Sequence, residues 1–158
     1  MYYSQTASQP RAETSQSSAV PEHTPRILLA RQGFIGRKLA AHRLRKQGYT
    51  VDIVTTGEDV MRALHANDYD VLLMDVEFPD VNGIMAAKHI RACWREKAPR
   101  IVGRSRSPFP ADHKKIADES GMDVCVSRHT RDQDIAGLIK HWLRVKGNVG
   151  DKGSRPAA

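Results

Sequence analysis

The residue in this sequence best placed to do chemistry is Asp75. It closes the run Tyr69-Asp70-Val71-Leu72-Leu73-Met74-Asp75 and leads into Val76-Glu77-Phe78-Pro79-Asp80-Val81-Asn82-Gly83, a loop rich in turn formers. The consecutive apolar residues Val71 to Met74, bounded by that turn cluster, read as a strand buried on both faces. A lone carboxylate at the carboxyl end of such a strand stands where open parallel sheets gather ligands and reacting groups. Arg31, Arg104 and Arg128 follow other predicted strands and would arrive at the same edge. A guanidinium presents a planar fork that fits a carboxylate or a phosphoryl group. The chemistry to expect is that of one carboxylate among arginines. Cys93 and Cys125 lie far apart, with no CxxC or His/Cys pattern for a metal.

The elements that must position these residues are legible from periodicity and turn signals. Ile27-Leu28-Leu29-Ala30 is a short buried strand, and a helix is predicted over 34–47 with Ile35, Leu39, Ala40 and Leu44 on one face. Gly48 supplies its left-handed stop. Its other face carries Arg37, Lys38, His42, Arg43, Arg45 and Lys46. A strand over 49–54 precedes Thr55-Thr56-Gly57-Glu58, a Ser/Thr-x-x-Glu capping box for a helix to 66 that packs Val60, Met61 and Leu64. After the central strand, Gly83 leads into a helix to 94 whose Ile84, Ala87, Ile90 and Trp94 face the sheet.

Ile101-Val102-Gly103 is the fourth strand, followed by a basic, proline-rich connection over 104–110. A helix over 111–120 stops at Gly121, and Val124-Cys125-Val126 is the fifth strand. Thr130-Arg131-Asp132-Gln133 reads as a second capping box, opening a helix with the stripe Ile135, Leu138, Ile139, Trp142. Strands alternating with helices imply a parallel sheet covered on both faces. The expected fold is α/β: a three-layer α/β/α sandwich with a five-stranded parallel sheet, flavodoxin-like, in strand order 2-1-3-4-5. Its switch point lies between the first and third strands, where Arg31 and Asp75 would face each other.

A chain of 158 residues suits one such domain, expected over 26–146. Residues 1–25 are rich in Ser, Thr, Gln, Ala and Pro and read as a disordered tail; 147–158 read as a flexible C-terminal tail. The net charge of +7 favours acidic partners without specifying nucleic acid. No run is long enough to span a membrane, and the N-terminus lacks the layout of a secretory signal. With only two cysteines, a cytoplasmic protein with reduced thiols is expected.

The stretch from Tyr69 to Pro79 with Asn82-Gly83 resembles the phospho-acceptor strand and loop of two-component response-regulator receiver domains. Arg37-Lys38-Leu39-Ala40 is similar to the first helix of receivers attached to hybrid kinases, and Gly121-Met122-Asp123 to the turn before the fifth strand. The resemblance covers about residues 26–145 and puts Asp75 in the acceptor position. It also implies residues that this chain lacks. The family's acidic pair, which holds magnesium, falls on Arg31 and Gln32. Its hydroxyl residue falls on Arg104, with Ser105 one place along; its Lys-Pro falls on Arg128-His129; its aromatic switch falls on Cys125.

The resemblance therefore implies a degenerate receiver, a pseudo-receiver. Aspartyl phosphorylation needs the charge on the transferring oxygens neutralised, normally by a divalent cation and a lysine. Magnesium demands oxygen ligands including carboxylates, so Asp75 beside Arg31 predicts weak or absent magnesium binding and no cofactor. Two arrangements are open: arginines clamping Asp75 in a salt bridge, or arginines forming an anion pocket that still admits a phosphoryl donor. The leading expectation is a non-enzymatic module acting through a protein partner: a histidine kinase, a phosphotransfer protein, a second receiver or a second copy. Arg106, Phe109, Lys114, Lys115 and Arg131, with Arg128 and His129, form the candidate interaction face. The alternatives are a phospho-accepting receiver modified on Asp75 and nucleic-acid contact through the basic surface. The second lacks a recognition motif or a stacking-aromatic series. A flavin site is disfavoured because Arg31-Gln32-Gly33-Phe34 is too short to cradle a phosphate.

Overall fold

Short runs of branched and large aliphatic residues form five strands, and the segments between them fold back as helices. The computed structural model describes residues 23–148. In chain order the elements are β1 (Arg26–Ala30), α1 (Phe34–Lys46), β2 (Thr50–Val54), α2 (Gly57–Ala66), β3 (Val71–Asp75), α3 (Gly83–Trp94), β4 (Arg100–Ser105), α4 (Pro110–Ser120), β5 (Val124–Ser127) and α5 (Asp132–Asn148). The strands make one parallel sheet in the order β2-β1-β3-β4-β5, as expected. The tails expected over 1–25 and 147–158 lie almost wholly outside the described residues. Within the described part, the Pro25 carbonyl accepts from Thr50 N, and α5 continues to Asn148.

The sheet separates two apolar layers. Ile27, Leu29, Val71, Leu73 and Val102 point toward α1 and α5, where Ala40, Ala41, Leu44, Ile135 and Ile139 meet them. Leu28, Ala30, Leu72, Met74 and Ile101 point the other way, against Val60 and Leu64 of α2 and Ala87 and Ile90 of α3. Alternation along each strand thus serves two buried faces, which is why the strands read as unbroken apolar runs.

Three local expectations are corrected. Helix α1 buries Ala40, Ala41 and Leu44, but Ile35 is 73% exposed and Leu39 48%. Small residues let the helix lie close to the sheet, and that packing overrides the larger apolar side chains one position back along the helix. The α2 cap is Thr56, whose hydroxyl accepts from Asp59 N, rather than Thr55. Helix α5 begins at Asp132, and the Arg131 carbonyl accepts its first helical bond from Ile135 N, so the cap falls at Arg131 rather than at Thr130.

Strand β4 is also longer than its apolar run. Arg104 and Ser105 belong to the strand, with Arg104 in register with Asp75. This extension carries a charged residue into the sheet beside the site carboxylate.

Candidate functional site

The carboxyl ends of β1, β3, β4 and β5 open on a cleft of about 380 Å³ lined by Arg31, Gln32, Gly33, Gly36, Asp75, Glu77, Arg104, Arg106 and Arg128. Asp75, the last residue of β3, has both carboxylate oxygens engaged. Oδ1 accepts from Arg104 Nη1 at 3.0 Å, and Oδ2 accepts from the Gln32 backbone N–H at 2.9 Å. Arg104 is only 5% exposed, and its Nη2 donates to the Arg128 carbonyl at 2.8 Å. Its Nε is buried with no partner. Burial first, then repulsion from Arg31, pushes the Arg104 guanidinium below its ordinary pKa, while Asp75 opposes that shift. The contact is one hydrogen bond of an ion pair, not the bidentate fork that the residue types suggest.

Arg31 lines the same cleft but does not pair with Asp75 as expected. Its Nη1 reaches Asp132 Oδ1 at 3.1 Å, and Arg43 binds the other oxygen of Asp132 at 3.1 Å. Gly36 makes room for this arrangement: a Cβ there would lie 3.0 Å from Arg31 Nη2. Arg128 contributes its carbonyl to Arg104 rather than its side chain to Asp75. His129 is an exposed turn residue whose backbone N–H bonds Ser127 Oγ. Of the three arginines expected around Asp75, one holds it.

Register separates Arg104 from Ser105. Arg104 lies opposite Asp75, whereas the Ser105 hydroxyl donates to Glu77 Oε1 at 3.2 Å. Glu77 also accepts from the Arg106 backbone N–H at 3.2 Å. Cys125 lies in register with Gly103 on β5, buried, with its thiol pushed up to about 11 by burial and by the Glu77 charge. Sequence reasoning missed Glu77, Asp80 and Asp132. Asp80 accepts from Gly57 N and Glu58 N, tying the β3–α3 loop to the start of α2. Its signal was its turn position, which does not say which helix it caps.

On the candidate interaction face, Phe109 is 63% exposed at the start of α4. Lys114 pairs with Asp118 and Arg131 with Asp134, while Arg106 and Lys115 are exposed. A second apolar surface lies on α1, where Phe34, Ile35 and Leu39 are exposed and Lys38 Nζ sits 4.4 Å over the Phe34 ring. Among the described residues no group of three or more His, Cys, Asp or Glu side chains could hold a metal ion. No described helix is long and apolar enough to cross a membrane.

A doubly wound sheet in this order, with a carboxylate at the end of its central strand, agrees with the receiver-like fold expected from the sequence. Residues 27–140 match the response regulator receiver domain. The chain belongs to that family, whose members are receiver domains of two-component signalling. It is 35% identical over 148 residues to probable histidine kinase 1 of Oryza sativa subsp. indica, covering 75% of this chain and 15% of that protein. It is 31% identical over 129 residues to hybrid signal transduction histidine kinase F of Dictyostelium discoideum, covering 78% of this chain and 12% of that protein. The chain thus spans a small part of the curated relatives it matches. Among solved structures, one similar chain is in the complex of the Saccharomyces cerevisiae histidine phosphotransfer signaling protein and the receiver domain of its downstream response regulator. The TM-score is 0.73 at 19% identity, covering 82% of this chain and 94% of that one. The Francisella response regulator 1452 receiver domain superposes with a TM-score of 0.71 at 14% identity, covering 78% of this chain and 99% of that one.

Proposed function

We propose that this receiver domain is a pseudo-receiver: a non-enzymatic, protein-binding signalling module that works without magnesium-dependent phosphorylation of Asp75. The observation that carries this reading is the ion pair of Asp75 with the buried Arg104. A carboxylate attacks phosphorus with a free lone pair and needs the phosphoryl charge neutralised. Here one oxygen is bound to a guanidinium and the other to the Gln32 amide. Freeing Asp75 would leave Arg104 buried and unpaired, at a cost of about 3 kcal/mol.

The donor set also fits magnesium poorly. The ion takes oxygen ligands in octahedral geometry, using one or two carboxylates. The cleft offers Asp75, held by Arg104, and Glu77, held by Ser105 and the Arg106 amide, among guanidiniums that repel a cation. No magnesium site is proposed.

Signalling on this reading is by docking, in the cytoplasm, and the partner is a histidine phosphotransfer protein or the phosphotransfer part of a histidine kinase. We assign the contact to the α1 face, because Phe34, Ile35 and Leu39 expose apolar area together, with Ile35 and Leu39 one helical turn apart. Phe109, between Pro108 and Pro110, is the one large exposed apolar side chain of its loop and is the weaker anchor.

The test offers a histidine-phosphorylated phosphotransfer protein to the chain with and without magnesium, following complex formation and phosphoryl transfer separately. The reading expects equal binding in both conditions, no label on this chain, and loss of the complex in Ile35→Asp/Leu39→Asp. Label on Asp75 would overturn it.

A further inference from the structure

We propose that Ser107 is a phosphorylation site for a proline-directed protein serine kinase, and that its phosphorylation opens the loop joining β4 to α4. This goes beyond the pseudo-receiver reading, which concerns only the chemistry of Asp75.

The basic, proline-rich connection after β4 reads Arg104-Ser105-Arg106-Ser107-Pro108-Phe109-Pro110. Of its two serines, only one is within reach of a kinase. Ser105 is 1% exposed, inside β4, with its hydroxyl on Glu77. Ser107 lies past the strand, half-buried, between exposed Arg106 and exposed Pro108, Phe109 and Pro110. A proline disfavours the α conformation for the residue before it, so Ser107 and Phe109 are both biased to extended backbone. Phe109 has a φ of −94° and a ψ of 123° accordingly. The segment 106–109 joins neither the sheet nor a helix. It therefore presents a serine followed by proline on an extended, unpaired stretch, the form in which a kinase groove takes its substrate. The one other Ser or Thr directly before a proline in this chain is Thr24.

The Ser107 hydroxyl is also the clasp of this loop. It donates to Asp112 Oδ2 in the first turn of α4 and accepts from Phe109 N at 3.2 Å. The Ser107 N–H donates to Ser105 Oγ at 3.1 Å, and the Ser107 carbonyl accepts from the His113 ring at 2.7 Å. Phosphorylation inverts the contact with Asp112. The Ser107 oxygen attacks the γ-phosphorus of ATP on the kinase and the bond from that phosphorus to ADP breaks. ADP leaves with the electron pair, and the hydroxyl proton passes to the base of the kinase. The ester oxygen has no proton left to give Asp112, and about −2 of charge now faces that carboxylate. Asp112 is driven off, and the phosphate turns to the donors beside it, Arg106 and the His113 ring. Phe109 lies in the chain between the clasp and α4, so it moves with the loop. A change at one oxygen thus alters the face that carries Phe109, Lys114 and Lys115.

The experiment incubates the whole chain with magnesium, ATP and a cyclin-dependent kinase, and locates phosphate by peptide mass spectrometry. Label is expected on Ser107, lost completely in Ser107→Ala and kept in Ser107→Thr, which retains a hydroxyl before proline. Thr24, exposed before Pro25, is the internal reference for an open site. Label on Thr24 and none on Ser107 would overturn the proposal. So would Ser107 label on a peptide spanning 101–114 but not on the folded chain. Amide-resolved NMR of the labelled chain should show shifts at Ser105, Phe109, Asp112 and His113, with β2 unmoved. Asp112→Asn, which removes the opposed charge, should shrink them. Shifts confined to Ser107 and its two neighbours would overturn the opening of the loop. Neutral hydroxylamine strips an acyl phosphate from a carboxylate and leaves a serine ester, so label on Asp75 and on Ser107 is read separately. Failure here therefore leaves the pseudo-receiver reading intact, and hydroxylamine-sensitive label on Asp75 would sink that reading without touching this one.

Discussion

At the scale of single residues, Asp75 and Arg104 are a buried pair in which each charge depends on the other. Arg104 has 6% of its side chain exposed and Asp75 17%, so neither partner can be removed cheaply. Asp75→Asn should lower the unfolding free energy by about 3 kcal/mol, because it strands a buried guanidinium. Arg104→Met should cost a similar amount by stranding the carboxylate. The double variant should lose clearly less than the sum, since with both charges gone neither is left buried and unpaired. Urea denaturation of the four proteins measures this coupling; additive losses would mean that the pair carries no special weight. The two cysteines give a second prediction. With its thiol raised to about 11 by burial and secondarily by Glu77, Cys125 stays protonated at pH 8 and inert, while exposed Cys93 is alkylated. Mass spectrometry of peptides after a short iodoacetamide pulse should find label on Cys93 and not on Cys125.

At the scale of elements, the β3–α3 loop is fixed from both ends. Gly83 N donates to the Val76 carbonyl at 2.7 Å, and a Cβ on Gly83 would come within 2.6 Å of that oxygen. Gly83→Ala should therefore destabilise the fold by about 1–3 kcal/mol, seen as a lower urea midpoint. At the other end, hydrogen bonds from Gly57 N and then Glu58 N hold the Asp80 carboxyl below its ordinary 3.8. A depressed folded pKa gives stability that is complete above about 3.8 and is lost as the pH falls through the folded value. The gap in urea midpoint between the parent and Asp80→Asn should thus be widest near neutral pH and close on acidification. A gap independent of pH would contradict this role. Much of this scale was legible beforehand: Val71 to Met74 could only be a central strand, and five alternating units left few topologies. The exact caps were not. Thr55-x-x-Glu58 and Thr56-x-x-Asp59 both fit a helix start, and only packing of the following turn chooses the second. The face of α1 was misread for a related reason, since apolar size favours Ile35 and Leu39 while close approach favours Ala40 and Ala41.

At the scale of the whole molecule, the fold joins residues that no spacing rule connects. Arg31 meets Asp132 across 101 positions of sequence, tying the end of β1 to the start of α5, and Arg43 on α1 joins the same carboxylate. Arg31, Asp75, Arg104 and Arg128 were therefore readable from strand ends as cleft residues, but Glu77 and the pairing among them were not. Charge alone offered Arg31, Arg104 and Arg128 equally to Asp75; strand register gave it to Arg104. The intact mass of the chain after incubation with acetyl phosphate and magnesium, beside Asp75→Asn, decides whether Asp75 is still an acceptor. A pseudo-receiver gives no phosphoryl adduct on the folded parent protein. An adduct on the parent that is absent from Asp75→Asn would contradict it, and would make Arg104 a participant in phosphoryl transfer rather than the residue that prevents it.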